Sequence, residues 1–180
     1  MQPIRHLERL LGDLASPDHY LFTTADLQAA CPPGTDPTLL LHRAHKAGIL
    51  QRVCRGIYLY PRVAVPRGRV LFHAAALLRA NEFNYISLET ALSDAGLLSQ
   101  IPIDRITLMS SGRTNVIRCG AYGRIEFIHT ARRPEDVAAQ LAYDSACRLW
   151  RAVPALALRD MRATRRDLSL VHPEVAHELV

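Results

Sequence analysis

Residues 48–60 read Gly48-Ile49-Leu50-Gln51-Arg52-Val53-Cys54-Arg55-Gly56-Ile57-Tyr58-Leu59-Tyr60, and this stretch decides how the first third of the chain folds. Gly48 is a helix stop, because glycine alone enters the left-handed C-cap conformation without a side-chain clash. Two short apolar runs follow, joined by Arg55-Gly56, which is the signature of a tight hairpin turn. A glycine-closed helix running into a basic-tipped hairpin is how the recognition helix and wing of a winged helix-turn-helix read in sequence. In the hairpin Ile57 and Leu59 alternate with Tyr58 and Tyr60, so one face is expected to pack while Arg52 and Arg55 project.

Working outward, Asp36 is a good N-cap with Pro37 at the first helical position, and the spacing predicts a helix from there to Ala47. Upstream, Ile4, Leu7, Leu10, Leu11 and Leu14 recur at helical spacing until Ser16-Pro17-Asp18 ends the run. Tyr20-Leu21-Phe22 is a short apolar lead-in, and Thr23 or Thr24 can cap a second helix through Leu27 and Ala30. Cys31-Pro32-Pro33-Gly34 then breaks it. Three short helices thus precede the hairpin.

In the helix before Gly48, Leu40, Leu41, Ala44 and Ala47 form an apolar stripe, while Leu39, His42, Arg43 and Lys46 share the opposite face. That polar face can reach base edges and phosphates, with Arg43 the candidate for a guanine contact and Thr38 for a phosphate. An isolated basic helix is ordinarily a solvated face. The hairpin changes the balance, because Arg52 on its strand and Arg55 at its tip add cations where a wing meets phosphate or minor groove. Residues 37–81 hold no Asp or Glu, yet they hold Arg43, Lys46, Arg52, Arg55, Arg62, Arg67, Arg69 and Arg79. The net charge is only +5, so it is this one-sign clustering that suggests a polyanionic partner, double-stranded DNA.

Residues 61–68, with Pro61, Pro66 and Gly68, read as a linker between a DNA-binding domain at residues 1–62 and a second domain at residues 69–180. In the second domain Leu71, Ala74, Ala75, Leu77 and Leu78 make a helix, residues 81–84 a turn, and Ser87 caps another helix through Leu92 to Gly96. Three strand-like runs follow at residues 105–110, 114–118 and 124–130, and they suggest a small antiparallel sheet. Pro134 is expected to open a helix reaching about Ala146, and Pro154 another carrying Leu156, Leu158 and Met161. The fold class is α+β: an N-terminal winged helix-turn-helix, then a mixed α/β domain.

Other functions find less support. No apolar run approaches the ~20 residues of a membrane span, and Arg5, His6, Glu8 and Arg9 stand where a signal peptide would be apolar, so a cytoplasmic protein is expected. Cys31, Cys54, Cys119 and Cys147 are widely spaced without Cys-x-x-Cys pairs, which suggests free and mostly buried thiols. The best residues for an enzyme are His129 at a strand end and the run His172, Glu174 and His177. A proline between candidate ligands argues against a metal there, and no phosphate-cradling glycine loop, nucleophile elbow or paired acid motif occurs. His73, inside an apolar helix, reads as a satisfied core residue. No enzyme activity, metal or cofactor is expected.

Residues 51–61, containing Arg55-Gly56-Ile57-Tyr58, followed by Tyr85-Ile86-Ser87-Leu88-Glu89-Thr90-Ala91-Leu92-Ser93-Asp94-Ala95-Gly96-Leu97, resemble the AbiEi-type antitoxins of type IV toxin-antitoxin and abortive-infection systems. Ile106-Thr107-Leu108-Met109 before Gly112-Arg113, Ile125-Glu126-Phe127-Ile128-His129, and residues 153–160 are similar to the family's later sheet and helix. The resemblance implies an N-terminal winged helix-turn-helix that represses its own operon from promoter DNA. It further implies a C-terminal domain that counters a nucleotidyltransferase-like toxin, without a stable antitoxin–toxin complex. Two departures are visible: the Pro32-Pro33-Gly34 loop lengthens the turn before the recognition helix, and the second domain is shorter than in larger members.

Within that second domain Arg148, Arg151, Arg159, Arg162, Arg165 and Arg166 face a single acid, Asp160. The excess suggests a polyanion-binding surface, and with the resemblance it makes these six the candidates for antitoxin function. A continuing helix would set Arg159, Arg162 and Arg166 on one face; the alternative is a solvated face with Arg159 paired to Asp160 or Asp167. A winged-helix transcriptional regulator without antitoxin activity, or a protein-interaction adaptor on the same fold, remains a competing reading, since fold does not fix function.

Overall fold

The structure is a computed structural model that describes residues 2–98 and 104–172. The chain divides into two compact units, Met1–Val70 and Leu71–Val180.

In the first unit the elements run α1 (Pro3–Leu14), β1 (Leu21–Thr23), α2 (Thr24–Ala29), α3 (Pro37–Lys46), β2 (Gln51–Cys54) and β3 (Ile57–Leu59). Each helix start has a local cause. Thr23 Oγ1 accepts from the Asp26 amide and the Asp26 carboxylate accepts from the Thr23 amide, a reciprocal capping box. Asp36 Oδ1 accepts from the amides of Thr38 and Leu39, at 2.9 and 3.3 Å. Gly48, just past the end of α3, takes φ +72, where a side chain would be strained.

The three strands form an antiparallel sheet in the order β1-β3-β2. The Arg55-Gly56 turn closes the hairpin with Gly56 at φ +87, and the β2–β3 register slips between Arg52 and Cys54, the kind of bulge that increases local twist. Leu7, Leu11, Phe22, Leu27, Leu40, Leu41, Ala44, Ile49, Leu50 and Tyr60 share one core. Burying each of its large aliphatic side chains is worth roughly 1.5–3 kcal/mol. Two expectations fail in detail. Tyr60 is buried rather than facing out with Tyr58, because β3 has ended at Leu59 and the Tyr60 amide donates to the Tyr20 carbonyl. Ala47 lies exposed at the C-cap, outside the apolar stripe.

The second unit contains α4 (Val70–Leu78, entering from the boundary residue), β4 (Asn84–Ile86), α5 (Leu88–Asp94), β5 (Arg105–Ser110), β6 (Asn115–Arg118), β7 (Arg124–His129), α6 (Pro134–Val137), β8 (Leu141–Asp144), β9 (Leu149–Ala152) and α7 (Pro154–Ala163). The small antiparallel sheet expected here is instead a six-stranded mixed sheet, ordered β6-β7-β5-β4-β9-β8. β5 runs parallel to β7 and β4 parallel to β9; the other neighbours are antiparallel. The helix expected to reach Ala146 ends at Val137 and passes through a single 3₁₀ turn into β8.

The β4–α5 junction departs from its expected form too. Ser87 occupies the N-cap position, but its hydroxyl caps nothing and instead donates to Asp160 Oδ2 at 2.7 Å. The next residue, Leu88, is fully buried at φ +57, a left-handed conformation that costs a non-glycine residue about 1–2 kcal/mol. Thr107 Oγ1 donates to the Ser87 carbonyl at 2.8 Å, and the amides of Thr90 and Thr107 each donate to the other's hydroxyl. The surrounding bonds hold the strained turn.

Candidate nucleic-acid interface

The outward face of α3 is assembled by alternation along ten residues. Leu40, Leu41 and Ala44 are buried, and Thr38, Leu39, His42, Arg43 and Lys46 are exposed. Leu39 stands 46% exposed among these polar neighbours, so it can offer a methyl group to a partner surface at little further cost. The cap alters what Thr38 can do. Its backbone amide is already taken by Asp36, so only its hydroxyl remains to meet a phosphate, with a carboxylate close by.

The hairpin places Arg55 exposed in the turn and Arg52 exposed on β2. Arg52 is steered by the bulge, its Nε donating to the Cys54 carbonyl at 3.4 Å. His45, unremarked in the sequence reading, ties helix to hairpin: its Nδ1 lies 3.2 Å from the Leu50 carbonyl and 3.4 Å from the Arg52 amide. One ring nitrogen cannot donate to the first and accept from the second at once, so the tautomer selects between them. Either bond fixes the end of α3 against the first residues of β2. A cavity of about 340 Å³ lies beside α3, lined by Ile4, Thr35, Asp36, Leu39, Leu40 and Arg43 among others. Arg62, counted in the acid-free window, is paired with Glu8.

In the second unit the six arginines separate into two kinds. Arg151 is held by Asp144, with Nε and Nη2 at 3.1 and 2.8 Å, and by Asp94 at 2.5 Å. Burial works against the ionised Asp144, but the bonds from Arg151 and the Cys147 amide outweigh it and hold that carboxyl below its ordinary range. Arg166 bridges Glu89 at 3.3 Å and Glu126 at 2.5 Å. Arg148, Arg159, Arg162 and Arg165 are exposed, with Arg159 donating to Gln140 Oε1. The single face expected for Arg159, Arg162 and Arg166 does not form. α7 ends at Ala163, Arg165 turns back at φ +55, and Arg166 is drawn to the two glutamates. Among the described residues Arg159 donates to Gln140 rather than to Asp160 or Asp167; Asp160 is fully buried and receives Arg132, Tyr85 Oη at 3.1 Å and Ser87.

His129 is exposed with Nδ1 3.0 Å from the Gly112 carbonyl, and Glu126 is engaged by arginines instead. His73 Nε2 lies 2.9 Å from the Ala146 carbonyl, a buried histidine with a partner. The four cysteines are thiols; Cys31 is partly exposed and Cys54, Cys119 and Cys147 are buried. Among the described residues no group of three His, Cys, Asp or Glu side chains could hold a metal ion, and no helix is long and apolar enough to cross a membrane. Glu174 and His177 lie outside the described residues.

A small α/β unit with an outward basic helix is joined to a larger sheet-based unit, and the first of these carries the sequence likeness to regulators. Residues 9–61 match the family described as "Transcriptional regulator, AbiEi antitoxin", from within α1 to the end of the hairpin. That agrees with the resemblance drawn from residues 51–61 and supports a regulatory role. A crystal structure of the RV2827C protein from Mycobacterium tuberculosis superposes on 93% of this chain with a TM-score of 0.53 and 18% identity. At that identity the likeness is one of fold. The superposition covers 54% of that protein, so this chain spans about half its length. No curated protein matches the chain.

Proposed function

We propose that the chain is the antitoxin and transcriptional autorepressor of a type IV toxin-antitoxin operon, and that its first unit is a winged helix-turn-helix bound to double-stranded promoter DNA. The observation that carries the reading is the order α1-β1-α2-α3-β2-β3 with the sheet paired β1-β3-β2, behind an α3 whose exposed side is polar and basic. A helix of ten residues is roughly 15 Å long and fits a major groove about 12 Å wide. In this reading Arg43 meets a base edge, Leu39 packs on a thymine methyl or sugar, and His42, Lys46 and the Thr38 hydroxyl meet backbone. Arg52 and Arg55 are the wing's contacts to phosphate or minor groove.

The second unit carries the antitoxin role against a nucleotidyltransferase-like toxin, without a stable complex. Four exposed arginines, Arg148, Arg159, Arg162 and Arg165, support this part; Arg151 and Arg166 act through the fold, by holding acids. The test of the whole reading is a gel shift with the DNA upstream of the gene. The intact protein should retard that duplex in preference to a scrambled one, and Arg43→Ala should lose the preference. Equal retardation of both duplexes by the intact protein would refute promoter recognition.

A further inference from the structure

The last turn of α3 meets the start of β2 through one side chain, that of His45. Its imidazole is on an exposed residue, yet Nδ1 is turned inward, 3.2 Å from the Leu50 carbonyl and 3.4 Å from the Arg52 amide. The two partners require opposite forms of the ring. A carbonyl takes a hydrogen from Nδ1, whereas an amide needs a lone pair there. The carbonyl contact is the shorter, and 3.2 Å falls within the usual span of such bonds while 3.4 Å falls beyond it, so the ring carries its hydrogen on Nδ1. In the neutral ring that is the only hydrogen, and Nε2 is left a bare acceptor. Among the described residues Nε2 has no hydrogen-bond partner.

His45 stands at the angle between the polar side of α3 and the wing. His42 precedes it by three positions, so the two side chains rise from one side of the helix; Lys46 follows it, and Arg52 lies beyond it on β2. All three neighbours are exposed. A duplex held by this face would pass a phosphate across that angle. A bare Nε2 turns a lone pair toward a phosphate oxygen and repels it. A second proton makes Nε2 a charged donor without disturbing the Leu50 bond, because Nδ1 keeps its hydrogen. The surroundings act on that proton in opposing directions. The C-terminal turn of α3, which holds His45, favours a cation through the helix dipole. Lys46, Arg52 and His42 when charged oppose one, and Tyr58, opposite Arg52 on β3, brings a phenol rather than a carboxylate. A phosphate supplies the missing counter-charge.

We propose that His45 is a further DNA-binding residue: it meets a backbone phosphate as an imidazolium, with Nδ1–H on the Leu50 carbonyl and Nε2–H on a phosphate oxygen, so that duplex binding takes up a proton from solvent. This rests on the winged-helix reading and adds to it a contact and a dependence on pH. Histidine ordinarily exchanges its proton between about pH 5 and 8, so the contact is present at the acidic end of that range and is lost as the pH rises. A phosphate contact carries no base identity, and the effect is therefore alike on preferred and random duplexes.

The affinity of the full chain for the duplex upstream of its gene is measured at fixed salt, at about pH 6 and about pH 8, for the parent, His45→Gln and His42→Gln. A ring whose proton is held one unit more tightly in the complex corresponds to a factor of about ten, and the parent is expected to bind tighter by about that factor at the lower pH. Glutamine can still donate to the Leu50 carbonyl but cannot take a charge. His45→Gln should therefore match the parent at about pH 8 and gain less than about twofold on acidification, while His42→Gln keeps most of the parent's gain. A merely structural His45 would leave the gain intact in His45→Gln. Nitrogen NMR of the histidine rings gives a second readout: Nδ1 alone protonated in the free protein at about pH 8, and both nitrogens protonated in the complex at about pH 6. A parent that binds equally at both pH values, a gain that survives His45→Gln, or a ring still neutral in the complex at about pH 6 would overturn the proposal and leave the winged-helix reading standing. A parent that retards no duplex at either pH would remove both.

Discussion

Asp160 has no exposed surface, and it is surrounded by Arg132, the Tyr85 hydroxyl and the Ser87 hydroxyl. Read in sequence it is the lone acid among arginines at residues 148–166, and it looks like a surface counter-charge. Its partners lie 28, 75 and 73 residues away, so no local pattern could have named them. Asp160→Ala would strand two buried hydroxyls and a guanidinium that is 31% exposed and can turn partly to water. The expected loss in urea unfolding is about 2–4 kcal/mol; a loss under about 1 kcal/mol would contradict the assigned role. Cys147 gives a second residue-scale expectation. Burial first, then the Asp144 carboxylate, pushes its thiol up to about 11 from an ordinary 9.0. The folded state therefore keeps a proton that the unfolded chain releases, and stability is full below about pH 9 and falls as the pH rises toward 11. Burial raises Tyr85 as well, which steepens the fall above about pH 10. Unfolding measured across that range should be shallower for Cys147→Ala than for the parent, and identical slopes would rule the thiol out.

At the scale of elements, α3 and its hairpin are written in local signals, the Asp36 cap, Gly48, and Arg55-Gly56, each acting within a few residues of itself. That is why the helix ends and the turn stand where the sequence reading expects them. β8 and β9 have no such punctuation. Leu141 and Ala142 carry helix-forming side chains, and only pairing across the sheet, Leu141 with Ala152 and Ala142 with Arg151, makes them extended. β4, three residues long, is hidden for the same reason. On the legible elements a division of labour is expected. Arg43, on the helix, should carry sequence preference, and Arg55, in the turn, mainly affinity. Arg43→Ala should lose about 1–3 kcal/mol on the preferred site and less on random DNA, whereas Arg55→Ala should weaken both alike. Competition binding with the two duplexes distinguishes these patterns, and equal losses for Arg43→Ala would reverse the assignment.

For the whole molecule, charge was visible in the sequence but its employment was not. Arg166 reads as one more cation in a basic run, yet its acids Glu89 and Glu126 are 77 and 40 residues away. Replacing it would leave carboxylates in a poorly hydrated site, one of them on the 7%-exposed Glu89, so its loss tests folding rather than recognition. The informative variant is Arg159→Gln with Arg162→Gln, both exposed. It should fold and bind promoter DNA like the parent while failing to rescue growth when the neighbouring toxin is co-expressed. Full rescue would remove these arginines from antitoxin action. The central claim, that the first unit binds duplex DNA through α3 and the hairpin, is tested most directly by the salt dependence of that binding. The logarithm of affinity should fall linearly with the logarithm of salt concentration, by about 0.9 for each phosphate neutralised, and Lys46→Ala should flatten the slope by about one unit. Binding that ignores salt, or a slope that Lys46→Ala leaves unchanged, would contradict it.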